Sequence, residues 1–477
     1  MNRHTEDLKD LFFATFRKEV GQITLLEASG SARKYYRMQQ NDISVMGVFN
    51  EDKKENRAFV EFSRHFKSKG MSVPHILNEN LEKNVYLVED LGNQTLYQLL
   101  CETRQSTDDF PESLITTYQQ ALDGLLQMQI YGGEGLDYSL CYPRAAFDRQ
   151  SVMWDLNYFK YYFLKLAKIN FDEQLLENDF NTLADFLLEA DASFFLYRDF
   201  QSRNIMIQNG KLYFIDYQGG RKGALQYDVA SLLYDGKANM PQSVRNLLLD
   251  YYVSQLKKTQ FAAAQNFEKY YDAFVFVRIM QAMGSYGFRG FYEKKTHFLQ
   301  SIPYALKNLQ YLLDHVKLPI EIPVLWQVFR QLADSEVLQS YSSPPLKISI
   351  YSFSFKESIP ADQSGNGGGF VFDCRCLPNP GRYDAYKFLS GKNREVVDYL
   401  NEKQEVNLFY QQVKSIVDMA VHNYTERKFQ HLMISFGCTG GQHRSVYFAE
   451  RLHDYLKKNR AVEVQLCHCM QEKWHIK

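Results

Sequence analysis

The sequence predicts two folding units in succession. The first is an α+β domain of two lobes, a small β-rich lobe and a large helical one with a cleft between them. The second is a smaller α/β domain with a phosphate-binding strand–loop–helix. Three observations carry this reading. The chain has 477 residues, about three domain-sized units at roughly 150 residues each, which argues against one compact core. Ser342, Ser343, Pro344 and Pro345 cannot continue a helix, and the Pro-Pro pair stiffens a connector. The apolar pattern changes from strand-like to helical and returns to strand-like beyond that connector. Domains are therefore expected over residues 1–335 and 346–477, with a linker over 336–345.

The elements follow in order. Residues 21–50 read as strands and turns, and VYLVEDL (85–91) reads as a buried strand. From 95 to 190 apolar residues recur at three- and four-residue steps, as in LITTYQQALDGLLQMQ and LNYFKYYFLKLA. Short strands return over 194–217 around Asn209-Gly210, a strong hairpin signal. Residues 225–315 are mostly helical. After the connector, KISIYSFSF, VFDCRCL and HLMISFGC read as strands, with helices near 384–401 and 406–424 and a last one over about 443–458.

Composition bounds the function. Apolar residues make up 45% and aromatics 15%, ample for a buried core. Lys+Arg is 55 against 56 Asp+Glu, which excludes a wholly basic nucleic-acid binder and an acidic disordered chain. Residues 347–477 hold 18 Lys+Arg, 14 Asp+Glu and six of the eleven histidines, a mildly basic unit that suits either a solvated surface or an anion-binding role. The start, MNRHTEDLKDLFF, lacks the apolar core of a secretory signal, and no apolar run approaches the ~20 residues of a membrane span. Seven cysteines, an odd number, read as reduced thiols of a cytoplasmic protein without a membrane partner.

The segment FLYRDFQSRNIMIQNGKLYFIDYQG carries the strongest chemistry. Phosphoryl transfer needs a carboxylate to deprotonate the attacking hydroxyl and oxygen ligands to hold Mg²⁺ against the phosphates. Asp199 suits the first task. Asn204, five residues on, and Asp216, a further twelve on, suit the second, because a short hairpin between them folds both back to one cleft. Together with ASGSARKYYRM (28–38), YLVEDLG (86–92), FIDYQGG (214–220) and YDVASLL (227–233), this stretch resembles the aminoglycoside phosphotransferase/choline kinase family of protein-kinase-like folds. More narrowly, it is similar to bacterial amino-sugar kinases that act on N-acetylmuramate and N-acetylglucosamine at the anomeric position.

The resemblance spans residues 1 to about 330. It implies ATP and Mg²⁺ as cofactors and a small sugar as substrate, with Asp199 as base and Asn204 and Asp216 as metal ligands. It also implies Ser29, Gly30, Ser31, Arg33 and Lys34 over the ATP phosphates, and the backbone near Glu89 to Leu91 at the adenine. Two departures stand out. Tyr197 occupies the position of the family's usual histidine, and the strand ISVMGVF (43–49) has no lysine for the phosphates. Arg33, Lys34 or Arg37 are the candidates to supply that charge. Asp228, ahead of an apolar run, reads first as a helix N-cap and second as a brace of the catalytic loop.

A second constellation lies in HLMISFGCTGGQHRSVYFAERLHDYL. Strand, Gly-rich loop and helix are the architecture that holds phosphate, with backbone N–H groups, Arg444 and the helix N-terminus converging on an anion. The run from Cys438 to Ser445 also has the C-x5-R-S spacing of tyrosine-phosphatase loops. FDCRCLPNP (372–380) and GCTGGQHRSVY (437–447) together resemble the C-terminal domain of the RNase adapter protein RapZ family, over about 346–470. In that family the domain binds glucosamine-6-phosphate and contributes RNA binding; the tail QLCHCMQEKWHIK is less basic than the family's, which favours the sugar phosphate over RNA. The resemblance implies Thr439, Gly440, Gly441, His443, Arg444 and Ser445 in the phosphate pocket, with Asp373, Arg375 and Asn379 from the other loop. That family's Walker A half has no counterpart in this sequence. Cys374, Cys376, Cys467 and Cys469 could form a zinc site, at a spacing wrong for the usual knuckle.

The expected function is thus an ATP-dependent amino-sugar kinase with a sugar-phosphate-binding domain. Two alternatives stay open: a pseudokinase adapter acting through RNA or protein partners, and a cysteine phosphatase-like tail.

Overall fold

Two units divide the chain, Met1–Tyr292 with Ser301–Gln339, and Glu293–Gln300 with Ser340–Lys477. The computed structural model describes residues 3–26, 33–104, 110–259, 261, 263–342, 346–362, 364–365, 368–426, 429–459 and 462–474.

The first unit opens with a helix, α1 (Arg3–Phe16), and a sheet of β1 (Gln22–Leu25), β2 (Lys34–Gln40), β3 (Ile43–Phe49), β4 (Ile76–Asn80) and β5 (Val85–Glu89). Its order is β1-β2-β3-β5-β4, antiparallel throughout. Strand alternation sends Tyr36, Met38, Val45, Val85 and Leu87 to one face, where they pack on Leu8, Leu11 and Phe12 of α1. Helix α2 (Lys53–Ser68) starts at Asp52, whose carboxylate accepts the N–H of Lys54 and Glu55. Its Phe59 stacks near Tyr86, a residue of the sheet's second face.

The rest of the first unit is helical: α3 (Leu96–Thr103), α4 (Glu112–Gln127), α5 (Arg149–Phe159), α6 (Glu173–Leu187), α7 (Gln226–Leu233), α8 (Gln242–Lys258), α9 (Ala263–Gly287), α10 (Ile302–His315), α11 (Pro323–Ala333) and α12 (Glu336–Gln339). Two small ladders interrupt it, β6 (Phe194–Leu196) with β9 (Arg221–Gly223), and β7 (Ile205–Gln208) with β8 (Lys211–Phe214). Asn209 and Gly210 turn between β7 and β8 with φ of 50° and 74°, the left-handed pair a two-residue hairpin needs. The run YYDAFVFVRIM makes α9 apolar on almost every side, so it is the buried axis of the helical part. It passes closely over the helical turn Lys160–Leu164 that continues α5, and a Cβ at Gly287 would lie 2.0 Å from the Tyr162 carbonyl oxygen.

The second unit is a parallel sheet of β10 (Lys347–Ser354), β11 (Phe370–Asp373), β12 (His431–Cys438) and β13 (Glu463–His468), in the order β11-β12-β10-β13. Helices α13 (Arg394–Asn401), α14 (Gln404–Glu426) and α15 (Arg444–Asn459) accompany it. Ile348, Ile350, Ile434 and Phe436 pack on Val413 and Val417 of α14 and on Phe448 and Leu452 of α15. The fold class agrees with the expectation from sequence. The helix expected near 384–401 begins only at Arg394, because Pro380, Gly381 and Gly391 belong to turns. No helix among the described residues is long and apolar enough to cross a membrane.

The α5–α9 crossing gives a test. Gly287→Ala puts a methyl group into backbone rather than into a movable side chain, so a loss of about 1–3 kcal/mol is expected. Denaturant unfolding of the full chain measures it.

Candidate active site and glycine loop

The loop after β6 is built around one buried carboxylate. Asp228, the third residue of α7 and fully buried, accepts the backbone N–H of Tyr197 at 2.7 Å and of Arg198 at 2.9 Å. The N-cap expectation for Asp228 is corrected: the helix has already begun at Gln226, and the carboxylate braces the loop instead. Burial pushes its pKa up to about 7, against the pull of those two N–H bonds. Arg198 sits at φ 85°, a left-handed conformation costly for a side-chain-bearing residue. Its guanidinium forks onto Asp155 of α5 at 2.5 and 2.7 Å and contacts the Tyr227 hydroxyl at 2.6 Å. Tyr197, where the family's histidine is usual, donates its hydroxyl to the Ile215 carbonyl. One tyrosine thus ties the loop to the residue before Asp216.

Asp199 follows, half-buried. Asn204 donates its Nδ2 to the Asp199 carbonyl at 2.9 Å and to Asp216 Oδ2 at 3.3 Å. The hairpin β7–β8 therefore brings Asn204 and Asp216 together beside Asp199. Asp216, at φ 71°, keeps 41% of its side chain exposed, enough to receive a ligand. Burial, then the charge of Asp199, holds its pKa above the usual carboxylate range. Gln218 donates to Asp216 Oδ1 at 2.7 Å, and Arg33 Nη1 stands 3.6 Å from the same oxygen. Arg33 Nη2 pairs with Glu55 of α2 at 2.8 Å, and Asn50 donates to the other Glu55 oxygen at 2.7 Å. Glu55 and Gln218 were not singled out from sequence. A glutamate in the first turn of the helix after β3 was the available signal for the first.

The three candidate cations, Arg33 just before β2 and Lys34 and Arg37 on it, separate by strand parity. Arg33 turns inward and is 3% exposed. Arg37 pairs with Asp90 at 2.8 Å and with the Gly92 carbonyl at 3.0 Å, pinning the segment after β5. Lys34 is exposed on the α1 side, 5.9 Å from the Phe49 ring centre, so it is removed from the set expected over the phosphates. Ser29, Gly30 and Ser31 lie outside the described residues. The Glu89 N–H is already bonded to the His75 carbonyl at 3.0 Å, which leaves the chain beyond it for an adenine contact. There Asp90 gives its carbonyl to Gln208 at 3.0 Å, and Leu91 is 5% exposed.

In the second unit β12 ends at Cys438 and α15 begins at Arg444. Thr439 and Gly440 are exposed at the loop tip, whereas Gly441 and Ser445 are buried. Gly441 needs its φ of 66°, and a Cβ there would meet Met470 at 2.5 Å. Cys438 Sγ accepts the Gly441 N–H at 3.2 Å and lies 3.1 Å from Ser445 Oγ. At 3% exposure it is packed inside the loop, unlike a nucleophile that must reach substrate. Arg444, 4% exposed, donates to the Arg375 and Leu377 carbonyls at 3.0 and 2.8 Å. It is the bolt between the loop and the FDCRCLPNP turn. Its Nε is buried and meets no acceptor among the described residues.

His443 spends Nε2 on the Tyr386 carbonyl at 2.9 Å, and burial lowers its pKa. Asp373 is held below its usual range by its bond to Arg375, whose guanidinium also covers the Phe355 ring at 4.0 Å. Asn379 accepts the Gly381 N–H at 3.2 Å and so shapes the turn beside His443. The four-cysteine zinc set does not assemble: β11 and β13 are the two edges of the sheet, with two strands between them, or roughly 14 Å at about 4.8 Å per step.

Comparisons with known proteins agree with this division. The chain belongs to the phosphotransferase enzyme family, which matches residues 22–262, and carries a RapZ C-terminal domain over residues 346–472. A nucleotide-binding protein of Actinobacillus pleuropneumoniae serotype 5b (strain L20) is 36% identical over 141 residues, 30% of this chain and 47% of that protein. Another, from Thermosipho melanesiensis, is 39% identical over 113 residues, 24% of this chain and 39% of that protein. The chain thus spans about half or less of the length of these relatives. Among solved structures, choline kinase from Cryptosporidium parvum Iowa II is 13% identical, covers 65% of this chain and 93% of its own, and has a TM-score of 0.42. The choline kinase LicA from Streptococcus pneumoniae is also 13% identical, covering 64% of this chain and 100% of its own at a TM-score of 0.42.

Three outcomes follow from the geometry. Asp228→Ala strands two buried N–H groups and should cost about 2–4 kcal/mol in denaturant unfolding. Because the folded-state pKa is raised, the carboxyl's contribution is largest near pH 4 and declines as pH rises through about 7. The stability difference between wild type and Asp228→Asn should therefore shrink over that window. Arg444→Ala leaves the Arg375 and Leu377 carbonyls without their donor and should lower the melting temperature of the full chain, with Arg444→Lys intermediate.

Proposed function

We propose that the first unit transfers a phosphoryl group from ATP to a hydroxyl of a small sugar, most consistently an amino sugar. The observation that carries this is the meeting of Asn204 and Asp216, at 3.3 Å, beside Asp199. Bound ATP would supply the phosphoryl group, and Mg²⁺ would offset the phosphate charge. The donor set fits the ion: an Asp216 carboxylate and an Asn204 amide oxygen are hard ligands of the kind Mg²⁺ takes. The raised pKa of Asp216 supports the same fit, since a cation would relieve its repulsion by Asp199.

Asp199 takes the proton of the acceptor hydroxyl as its oxygen bonds to phosphorus, while the bond to the ADP oxygen breaks. Asn204 ties the Asp199 backbone carbonyl to the Asp216 carboxylate through the two bonds of its amide. Asp228, Arg198 and Tyr197 hold the loop in place without meeting the substrate.

The second unit, on this reading, binds a sugar phosphate at Thr439–Ser445. Two features support an anion there. The loop between β12 and α15 presents exposed backbone at Thr439 and Gly440 next to a helix N-terminus. The buried Arg444 donates to backbone carbonyls rather than to a carboxylate, and its Nε–H meets no acceptor among the described residues.

Asp199→Asn should abolish transfer from ATP to a panel of amino sugars while leaving MgATP binding nearly unchanged in calorimetry. Asp216→Asn should weaken MgATP binding. Wild-type turnover in both variants would refute the kinase reading. For the second unit, Cys438→Ser keeps the loop's N–H groups, so affinity for glucosamine-6-phosphate should survive. Phosphatase turnover that this substitution destroys would overturn the binding reading.

A further inference from the structure

We infer that Arg33 does the work of the lysine missing from β3, reaching the phosphate region of the cleft from the neighbouring strand; this rests on the kinase reading above. The register fixes where a strand lysine would have to stand. Tyr35 pairs with Val48 and Arg37 with Met46, and Val48 pairs in turn with Tyr86 of β5. Side chains at paired positions share a face, so Val48 and Met46 share the inward face with Tyr35 and Tyr86. Both positions are apolar, and Val48 is 1% exposed. A lysine there would be the ordinary solution.

Arg33 continues the inward series of Tyr35 and Arg37, two residues before Tyr35. Its guanidinium carbon lies 5.8 Å from the Phe59 ring centre. One nitrogen is 2.8 Å from Glu55 of α2, the other 3.6 Å from Asp216. A single cation therefore joins the helix, the sheet and the carboxylate at the cleft floor. Tyr86, Tyr35 and Glu55 raise its pKa against the opposing effect of burial, so the charge is permanent. Arginine suits the longer path, because its planar fork can keep one arm on Glu55 while the other meets phosphate oxygen. The other two candidates are already accounted for: Arg37 is committed to Asp90, and Lys34 faces α1.

The test uses the full chain and reads binding of MgADP and MgATP by calorimetry, with circular-dichroism melts as a folding control. Arg33→Gln should weaken both nucleotides by about tenfold or more, Lys34→Gln should leave them within about twofold, and Arg33→Lys should fall between. The deciding variant restores the charge from β3: Arg33→Gln combined with Val48→Lys should regain a substantial part of the lost affinity, and Val48→Lys also serves if Arg33→Gln alone folds poorly. Wild-type affinity in a folded Arg33→Gln chain, or no recovery in a folded double variant, overturns the inference and leaves the kinase reading standing. Absence of MgATP binding by the wild type would instead remove the kinase reading itself.

Discussion

The buried carboxylate of Asp228 is the constraint on which the first site depends. The loop it holds includes Arg198 at φ 85°, and the tethered segment that follows includes Asp216 at φ 71°. Each left-handed residue costs roughly 1–2 kcal/mol. The N–H bonds from Tyr197 and Arg198 to the buried Asp228 carboxyl oppose that strain, and the loop keeps a shape its own residues would not choose. Tyr197 extends the brace to Ile215 with a neutral hydroxyl.

The two units solve opposite electrostatic problems. In the first, burial and then the charge of Asp199 disfavour the charged form of Asp216. On the proposed reading a cation would offset both. In the second, a buried guanidinium is held by backbone carbonyls at the start of a helix. Carbonyl dipoles compensate a full charge less well than a carboxylate does, which is the basis for proposing an anion at that loop.

Much of this was legible in the sequence because it is local. β12 runs from His431 to Cys438, the stretch read as a strand, and the Asn209-Gly210 turn closes the hairpin that carries Asn204 to Asp216. What was not legible depends on partners distant in sequence. Asp228 looks like a cap because a cap is judged from neighbours, but its N–H partners lie about thirty residues upstream. Arg444 looks like a free phosphate grip, yet its carbonyl partners come from Arg375 and Leu377. Lys34 and Arg33 are adjacent and chemically alike. Alternation puts them on opposite faces, and only the packing of Tyr36 and Met38 on α1 shows that the Lys34 face is the outer one.

That last case bears on how motifs should be read. A phosphotransfer cleft constrains where a positive charge ends in space, not which strand it starts from. Adjacent strands are about 4.8 Å apart, a distance within the span of an arginine side chain. Lys34 pairs with Phe49, so Arg33 falls just past the paired end of the ladder, level with Asn50. Asn50 in turn holds Glu55, the residue that meets the guanidinium. The acceptor is thus fixed by the end of β3, even though β3 lacks the cation. On the proposed reading the anchoring carboxylate stays at the end of β3 while the charge comes from one strand over, and the absent lysine is then not, by itself, a sign of an inactive cleft.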